Sequence, residues 1–274
     1  MVVSDARSVL EETRRELLQN NFALNAHITN YGRALPSLDS LKEIVETLRA
    51  IIFPGYFGGS THAVTLTYMT DGGLDEFYDL VYTQIRNALL FDKERAPGDV
   101  AEAARELALS FIERLPEIRR LLYTDVEATY TSDPAAKNYE EIIFCYPTIR
   151  AMINHRMAHA LLELGVPLLP RIIAELAHSE TGIDIHPGAQ IGEYFSIDHG
   201  TGVVIGETAI IGNRVKLYQG VTLGAKRFSL DENGNPVKDE PRHPIIEDNV
   251  VIYSNANILG RIKIGKNSII GGNV

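Results

Sequence analysis

Apolar residues recur at helical spacing through the first two thirds of the chain. The clearest run follows the i, i+3, i+4, i+7 pattern of an amphipathic helix and consists of Leu41, Ile44, Val45, Leu48, Ile51 and Ile52. Similar spacing predicts further helices at about 4–19, 74–91, 98–114, 116–128, 138–163 and 167–179. A break near Pro147 is expected in the 138–163 segment, because proline cannot continue a helix from its N-terminal side. The pattern therefore predicts an α-helical N-terminal domain over residues 1–180.

Beyond Gly182 the period of the apolar residues changes to six. Aliphatic side chains stand six positions apart at Ile185, Ile191, Ile197, Val203, Ala209, Val215 and Val221, and again at Ile246, Ile252, Ile258, Ile264 and Ile270. In a left-handed parallel β-helix, six residues build one flat side, three sides complete a coil, and the repeated aliphatic side chain fills the interior. We therefore predict an α+β protein in which a left-handed β-helix of hexapeptide repeats occupies residues 181–274.

A polar stretch interrupts these repeats between Val221 and Ile246. It contains the turn-forming run Asp231-Glu232-Asn233-Gly234-Asn235-Pro236. Long excursions from a regular solenoid carry function more often than not, so we predict a functional loop over residues 226–241.

Composition excludes several classes of function. The formal charge of -10 repels phosphate backbones, and no run of basic residues offsets it, so we expect no nucleic-acid partner. The start of the chain lacks the features of a secretory signal, and no apolar run approaches the ~20 residues that span a bilayer. Cys145 is the only cysteine, and its helical surroundings predict an inert buried thiol. We therefore expect a cytoplasmic protein with no membrane partner.

Two polar segments within the repeats contain residues suited to proton transfer. They are Asp184-Ile185-His186-Pro187 and Asp198-His199-Gly200-Thr201-Gly202. A histidine near a carboxylate is the usual general base for removing a proton from an alcohol, so His186 and His199 are both candidates. The adjacent glycines favour His199, because the backbone there can approach a ligand closely.

Five short motifs follow one another along the repeats. They are Asp184-Ile185-His186-Pro187, Asp198-His199-Gly200-Thr201-Gly202, Gly206-Glu207-Thr208-Ala209, Gln219-Gly220-Val221-Thr222-Leu223-Gly224 and Arg242-His243-Pro244. In this order they resemble the serine acetyltransferase family of hexapeptide-repeat acyltransferases, from about Asp133 to the end of the chain. The resemblance implies transfer of an acetyl group from acetyl-CoA to the hydroxyl of L-serine, which yields O-acetylserine and CoA in the first step of cysteine biosynthesis.

The resemblance assigns catalytic roles to two residues and binding of the serine ammonium to two more. His199 would deprotonate the serine hydroxyl and later protonate the departing CoA thiolate, while Asp184 orients its imidazole. Asp133 and Asp198 would accept hydrogen bonds from the serine ammonium. The position of Asp133 before Pro134 is equally typical of a helix N-cap.

The remaining contacts implied by the resemblance involve the serine carboxylate, the hydroxyl and acetyl-CoA. Arg242 would hold the carboxylate in its planar fork and His243 would help place the hydroxyl, although Arg242 also fits an ordinary surface charge. Acetyl-CoA would lie along the β-helix without any metal ion, against Gly224, Ala225, Lys226 and Ala256.

The resemblance also implies an assembly and a regulator. Such proteins commonly trimerise about the β-helix axis with active sites in the clefts between neighbouring β-helices, and two trimers can pair through their helical halves. L-cysteine is an expected feedback inhibitor, because it shares the ammonium and carboxylate of serine. O-acetylserine sulfhydrylase binds a C-terminal tail in that family, and because the chain given ends at Val274 within a repeat, this partner is not assumed.

Three other interpretations stay open at this point. A hexapeptide-repeat O-acetyltransferase acting on a sugar would leave Asp133 and Arg242 without a zwitterion to bind. A γ-type carbonic anhydrase would need three histidines around zinc at the trimer interface, and the repeats contain His186, His199 and His243. A scaffold without enzymatic activity would tolerate replacement of His199.

Overall fold

The computed structural model describes residues 6–19, 34–57, 71–91, 97–227, 229–238 and 240–274. Helix α1 (Ala6–Gln19) belongs to a first unit, Met1–Ala34, and Leu35–Val274 forms a second. The helix predicted at 4–19 is confirmed from residue 6 onwards, and its first two positions lie outside the described residues.

The described part of the second unit begins with helices. They are α2 (Leu38–Ile52), α3 (Asp71–Leu89), α4 (Pro97–Glu113), α5 (Leu115–Ser132), α6 (Tyr139–Cys145), α7 (Pro147–Glu163) and α8 (Leu169–Thr181). The predicted break is confirmed at Tyr146, and Pro147 begins α7, where its missing N–H leaves no helical bond unmade. Gly182 ends α8 with a left-handed φ of 69°, a conformation that glycine adopts without strain.

A buried ion pair joins the helices to the first coil of the β-helix. On α7, the Arg156 guanidinium donates to the Asp125 carboxylate of α5 at 3.1 Å and to the Gly192 carbonyl at 2.6 Å. Asp125 also accepts the backbone N–H of Phe195 at 3.1 Å. Buried charges are tolerated when they are paired and hydrogen-bonded, so these contacts set how α5 and α7 pack against the strands.

Short parallel strands form the remainder of the chain. They are β1 (Asp184–Ile185), β2 (Gln190–Ile191), β3 (Ser196–Asp198), β4 (Val204–Ile205), β5 (Ile210–Ile211), β6 (Lys216–Tyr218), β7 (Thr222–Gly224), β8 (Ile245–Ile246), β9 (Val251–Ile252), β10 (Asn257–Leu259), β11 (Lys263–Ile264) and β12 (Ile269–Ile270). Side A stacks β1, β4, β7 and β10, side B stacks β2, β5, β8 and β11, and side C stacks β3, β6, β9 and β12. Every third strand therefore lies on the same side, and the predicted left-handed β-helix after an α-helical region is confirmed.

The repeat register differs from the predicted one at a single corner. Strand partners such as Ile191 and Ile211 stand 20 positions apart, whereas Ile205 and Leu223 stand 18 apart, the length of three hexapeptides. Two extra residues therefore lie in the first coil, after β3, where His199 and Gly200 adopt positive φ values of 58° and 95°. Between this corner and the loop, the inward strand residues are Ile205, Ile211, Leu217 and Leu223, whereas after the loop the predicted series from Ile246 to Ile270 lies on the strands as expected. The predicted Val203 series fills the corners instead, and both series are buried.

The chain leaves the β-helix between β7 and β8, where the sequence predicts a loop. Positions 228 and 239 of that loop lie outside the described residues. At the loop tip, the Asp231 carboxylate accepts the backbone N–H groups of Asn233 at 2.9 Å and Asn235 at 2.8 Å, which closes a turn. Pro241 to Pro244 then return the chain to the corner between sides A and B.

Candidate active site

The predicted site residues lie at two different edges of the β-helix. The edge between sides C and A carries Asp184 at the start of β1 and His199 directly after β3. The edge between sides A and B carries Arg242 and His243, just before β8. Side A separates the two edges by on the order of 15 Å, from the rise of about 3.3 Å per strand residue. The predicted site residues of one chain are therefore divided between two edges, which we call the first half-site (edge between sides C and A) and the second half-site (edge between sides A and B).

The first half-site contains a small cavity of about 10 Å³, lined in part by Ser132, Asp133, Tyr146, Asp198 and Lys216. Asp133 and Asp198, both predicted to bind the serine ammonium, thus lie close together although they are far apart in sequence.

Asp133 is held rigidly by two donors. Tyr146 donates its hydroxyl to Asp133 Oδ2 at 2.6 Å, and the Ala135 backbone N–H donates to Oδ1 at 2.8 Å. The tyrosine hydrogen bond lowers the pKa of the Asp133 carboxyl and raises the pKa of Tyr146 to about 12. The alternative that Asp133 is an N-cap is wrong, because it ends α5, and Asn138 caps α6 by accepting the Glu141 N–H at 2.7 Å.

Asp198 contacts two side chains with its two oxygens. Its Oδ2 lies 3.1 Å from Lys216 Nζ, and its Oδ1 lies 3.7 Å from His199 Nε2. Lys216 also donates to the Ser132 carbonyl at 2.9 Å. Burial opposes the charge of Lys216, but the contacts with Asp198 and Tyr218 together outweigh burial and raise the pKa of this ammonium. Sequence reasoning missed Lys216, because an outward residue of a short strand carries no local signal.

The predicted pair of Asp184 and His199 is not joined in this structure. Within the described residues, the two share no hydrogen bond or ion pair. Asp184 instead lies near two side chains of α8, because the carboxylate and ring atoms of Glu175, His178 and Asp184 that could bind a metal lie within 4.8 Å of one another. The His199 side chain is 77% exposed, so its ring has room to turn at this edge. The orienting role of Asp184 stays a prediction.

The second half-site is built around Thr208. Its hydroxyl accepts the backbone N–H groups of Arg242 at 2.9 Å and His243 at 3.1 Å. The Arg242 guanidinium pairs with the carboxylate of Glu207, a residue to which the sequence assigned no role. Arg242 is therefore already held at this edge and is not a free surface charge.

The His243 ring lies directly on the backbone of Gly206. A Cβ at Gly206 would stand 2.0 Å from His243 Cδ2, so only glycine fits beneath the ring. Nδ1 of His243 accepts the Thr208 backbone N–H at 3.1 Å, which leaves the hydrogen of the neutral ring on Nε2. Burial lowers the pKa of His243 and favours this neutral form.

Three predictions outside these half-sites are decided or clarified by the structure. Ala256 is fully buried, so its side chain belongs to the core, and its contact with CoA stays a prediction. His186 accepts the Gly188 N–H on Nδ1 at 3.0 Å and so closes a tight turn. Cys145 is exposed, and the prediction of a buried thiol was wrong, because the short helix α6 presents it to solvent.

A larger cavity of about 450 Å³ lies between the loop and the last coils of the β-helix. Its lining includes four cationic side chains, those of Lys226, Arg227, Arg242 and Arg261, and one acidic side chain, that of Glu240. The predicted CoA contacts Gly224 and Ala225 directly precede Lys226. Within the described residues, no helix is long and apolar enough to cross a membrane.

The three-sided coil of hexapeptide repeats is the fold of the hexapeptide-repeat transferases. The family described as bacterial transferase hexapeptide (six repeats) matches residues 243–274. A plasmid serine acetyltransferase of Synechococcus elongatus is 53% identical over 247 residues, which cover 88% of this chain and 77% of that protein. A serine acetyltransferase of Synechocystis sp. is 48% identical over 143 residues, 52% of this chain and 54% of that protein.

The fold comparison agrees with these relatives. The crystal structure of serine acetyltransferase isoform 3 from Entamoeba histolytica, in complex with cysteine, matches with a TM-score of 0.70 and 35% identity over 96% of this chain and 84% of that one. The chain belongs to the serine acetyltransferase family, the acetyl-CoA:L-serine O-acetyltransferases. Membership in this family excludes the three alternative interpretations, namely a sugar acetyltransferase, a carbonic anhydrase and a non-enzymatic scaffold.

Proposed function

We propose that this chain transfers an acetyl group from acetyl-CoA directly to the hydroxyl of L-serine, with His199 as the general base. The observation that supports it most is the position of His199, whose Nε2 lies 3.7 Å from Asp198, one of the two carboxylates that line the cavity. A serine ammonium held between Asp133 and Asp198 would bring the short hydroxymethyl side chain of the substrate next to the imidazole.

The proton then follows a closed path. The neutral His199 ring accepts the serine hydroxyl proton while the serine oxygen attacks the thioester carbonyl carbon. When the tetrahedral intermediate collapses, the carbon–sulfur bond breaks and the imidazolium returns the proton to the CoA thiolate. Asp184 or Asp198 steadies the imidazolium in between, and both carboxylates belong to the edge that carries His199.

We further propose that the active site is shared between two subunits of a homotrimer. The ammonium and carboxylate of serine are only roughly 3–4 Å apart by covalent geometry. The half-sites of one chain are separated by a whole side of the β-helix. Arg242 and His243 of the partner subunit would complete the site if the second edge of each chain faces the first edge of its neighbour. Pairing of two trimers stays a prediction.

The cationic side chains of the larger cavity support binding of the phosphate groups of acetyl-CoA at this position. CoA carries a diphosphate and a ribose phosphate, and guanidinium and ammonium groups are the usual partners of phosphate oxygens. Lys226 and Arg227 would bind these groups from the loop and Arg261 from the coil. The thioester would then extend along side A past Gly224 and Ala225.

Cysteine is proposed as a competitive feedback inhibitor at the same pocket. The Entamoeba histolytica relative was crystallised in complex with cysteine. Cysteine offers the same ammonium and carboxylate to Asp133, Asp198 and Arg242 as serine does, so it would compete with serine.

A complementation experiment tests the shared site. H199A and R242A each lose activity alone, H199A by at least ~100-fold in turnover, measured as serine-dependent thiol release from acetyl-CoA. Because each variant supplies the half-site that the other lacks, a co-expressed 1:1 mixture restores about a quarter of the interfaces and of the wild-type rate.

The matched control is a mixture of H199A with D198A. Both substitutions damage the first half-site, so every interface stays defective and no activity returns. Absence of recovery in the H199A and R242A mixture would place the site within one chain. Thiol release with galactosides but not with serine would overturn the proposed substrate.

A further inference from the structure

We infer that Lys216 is a positioning residue for acetyl transfer, which holds Asp198 beside His199 and balances the charge of that carboxylate. The inference rests on the proposed role of His199.

Lys216 is anchored by contacts that do not depend on a ligand. Its side chain is only 12% exposed on β6. The ammonium donates to the Ser132 carbonyl at the C-terminal end of α5, where the helix dipole favours a cation. It also lies 4.7 Å from the centre of the Tyr218 ring. Because α5 and β6 both fix it, Lys216 can act as a support for Asp198 on β3.

The two carboxylate oxygens of Asp198 contact different partners, Lys216 and the proposed base His199. Oδ2 meets the lysine at 3.1 Å and Oδ1 faces His199 Nε2 at 3.7 Å. A carboxylate bound through one oxygen has little freedom to turn, so the lysine aims the other oxygen at the imidazole and at a substrate ammonium.

The charges around the cavity agree with this role. Asp133 from the end of α5, Asp198 from β3 and Lys216 from β6 line the cavity together with the neutral phenol of Tyr146. His199 lies beside Asp198, and Asp184 stands on the same edge outside this lining. Two carboxylates and one ammonium leave a net charge of about -1, which a single substrate ammonium neutralises. Without Lys216, two uncompensated carboxylates would face both the substrate and the base.

The direction in which loss of Lys216 shifts the pH profile of kcat/KM can be predicted. An uncompensated Asp198 favours the imidazolium form of His199, and the loss of a nearby cation acts in the same direction. Only the neutral ring can accept the serine proton. The acidic limb of the pH profile of kcat/KM should therefore move to higher pH when Lys216 is neutralised.

The test compares K216M, K216Q and K216R with K266M, which removes an equally charged but 56% exposed lysine from the same β-helix. The rate of serine-dependent thiol release is measured from pH 5.5 to 9. We expect K216M and K216Q to shift the midpoint of the acidic limb up by about half to one pH unit, which lowers kcat/KM by about 3- to 10-fold at pH values below both midpoints. K216R restores the midpoint, and K266M leaves it unchanged.

Two results would overturn the inference. A K216M profile that is lowered equally at every pH would show a merely structural role. A lower KM for serine with an unshifted profile would show that Lys216 competes with the substrate ammonium. Should K216M fail to fold by circular dichroism, K216Q supports the same comparison. An H199A variant that retains activity would refute the proposed base itself, whereas inactive H199A with an unshifted K216M refutes only the role of Lys216.

Discussion

Arg156→Met should destabilise the protein more than most single substitutions. In the native chain, Arg156 is 5% exposed and Asp125 is not exposed at all. The guanidinium donates to both oxygens of Asp125, at 3.1 and 3.2 Å, and to the carbonyls of Ile191 at 2.5 Å and Gly192 at 2.6 Å. Methionine fills most of the volume but supplies none of these donors, so Asp125 stays buried with the N–H of Phe195 as its remaining donor.

The expected loss follows from the uncompensated charge. Removing one partner of a buried ion pair typically costs about 3–5 kcal/mol. At about 2–4 °C per kcal/mol for a chain of this size, thermal unfolding followed by circular dichroism should occur roughly 10–15 °C earlier.

A double variant shows whether the buried charge is the cause. In D125L with R156M, both charges are gone and apolar groups fill the space, so much of the loss should be recovered. A midpoint for R156M within about 2 °C of the wild type would refute the reasoning, since that shift corresponds to less than about 1 kcal/mol. A double variant as unstable as R156M alone would show that the lost carbonyl contacts, and not the charge, dominate.

Two further predictions concern packing and pH. G206A should lower the free energy of unfolding by about 1–3 kcal/mol in denaturant titrations, because the new Cβ would meet the His243 ring at 2.0 Å. The control G271A has no atom within 4 Å of its new Cβ and should change the free energy of unfolding by less than about 0.5 kcal/mol. Equal effects of the two would contradict the packing of His243. Burial lowers the pKa of His155 well below its usual value. Below about pH 6.5 the unfolded chain therefore binds more protons at this residue than the folded chain does. The free energy of unfolding should fall by up to about 1.4 kcal/mol for each unit by which the pH is lowered in this range. H155F should lose less on going from pH 7.5 to 5.5, and an unchanged loss would show that other groups are responsible.

The helices and the β-helix could be predicted from the sequence because both depend on the spacing of neighbouring residues. Helical periodicity and the six-residue repeat reflect local backbone geometry, so Pro147 and the series beginning at Ile185 were interpreted correctly without any long-range information. The six-residue spacing did not predict the two extra residues at the corner that contains His199 and Gly200. Aliphatic residues fill the corners as well as the strand centres, so the six-residue spacing continues through Val203 although the register has changed.

The candidate site depended on distant contacts that no local pattern encodes. Asp133 and Asp198 meet only because α5 ends against side C, and Lys216 finds its partners on two other elements. Glu207 gains its role from Arg242, which a long loop returns to the neighbouring coil. The motifs thus identified the fold and the candidate base, whereas only the tertiary structure decided which charges face each other, because a charge is stabilised or perturbed by the groups within a few ångströms of it, wherever they lie along the chain.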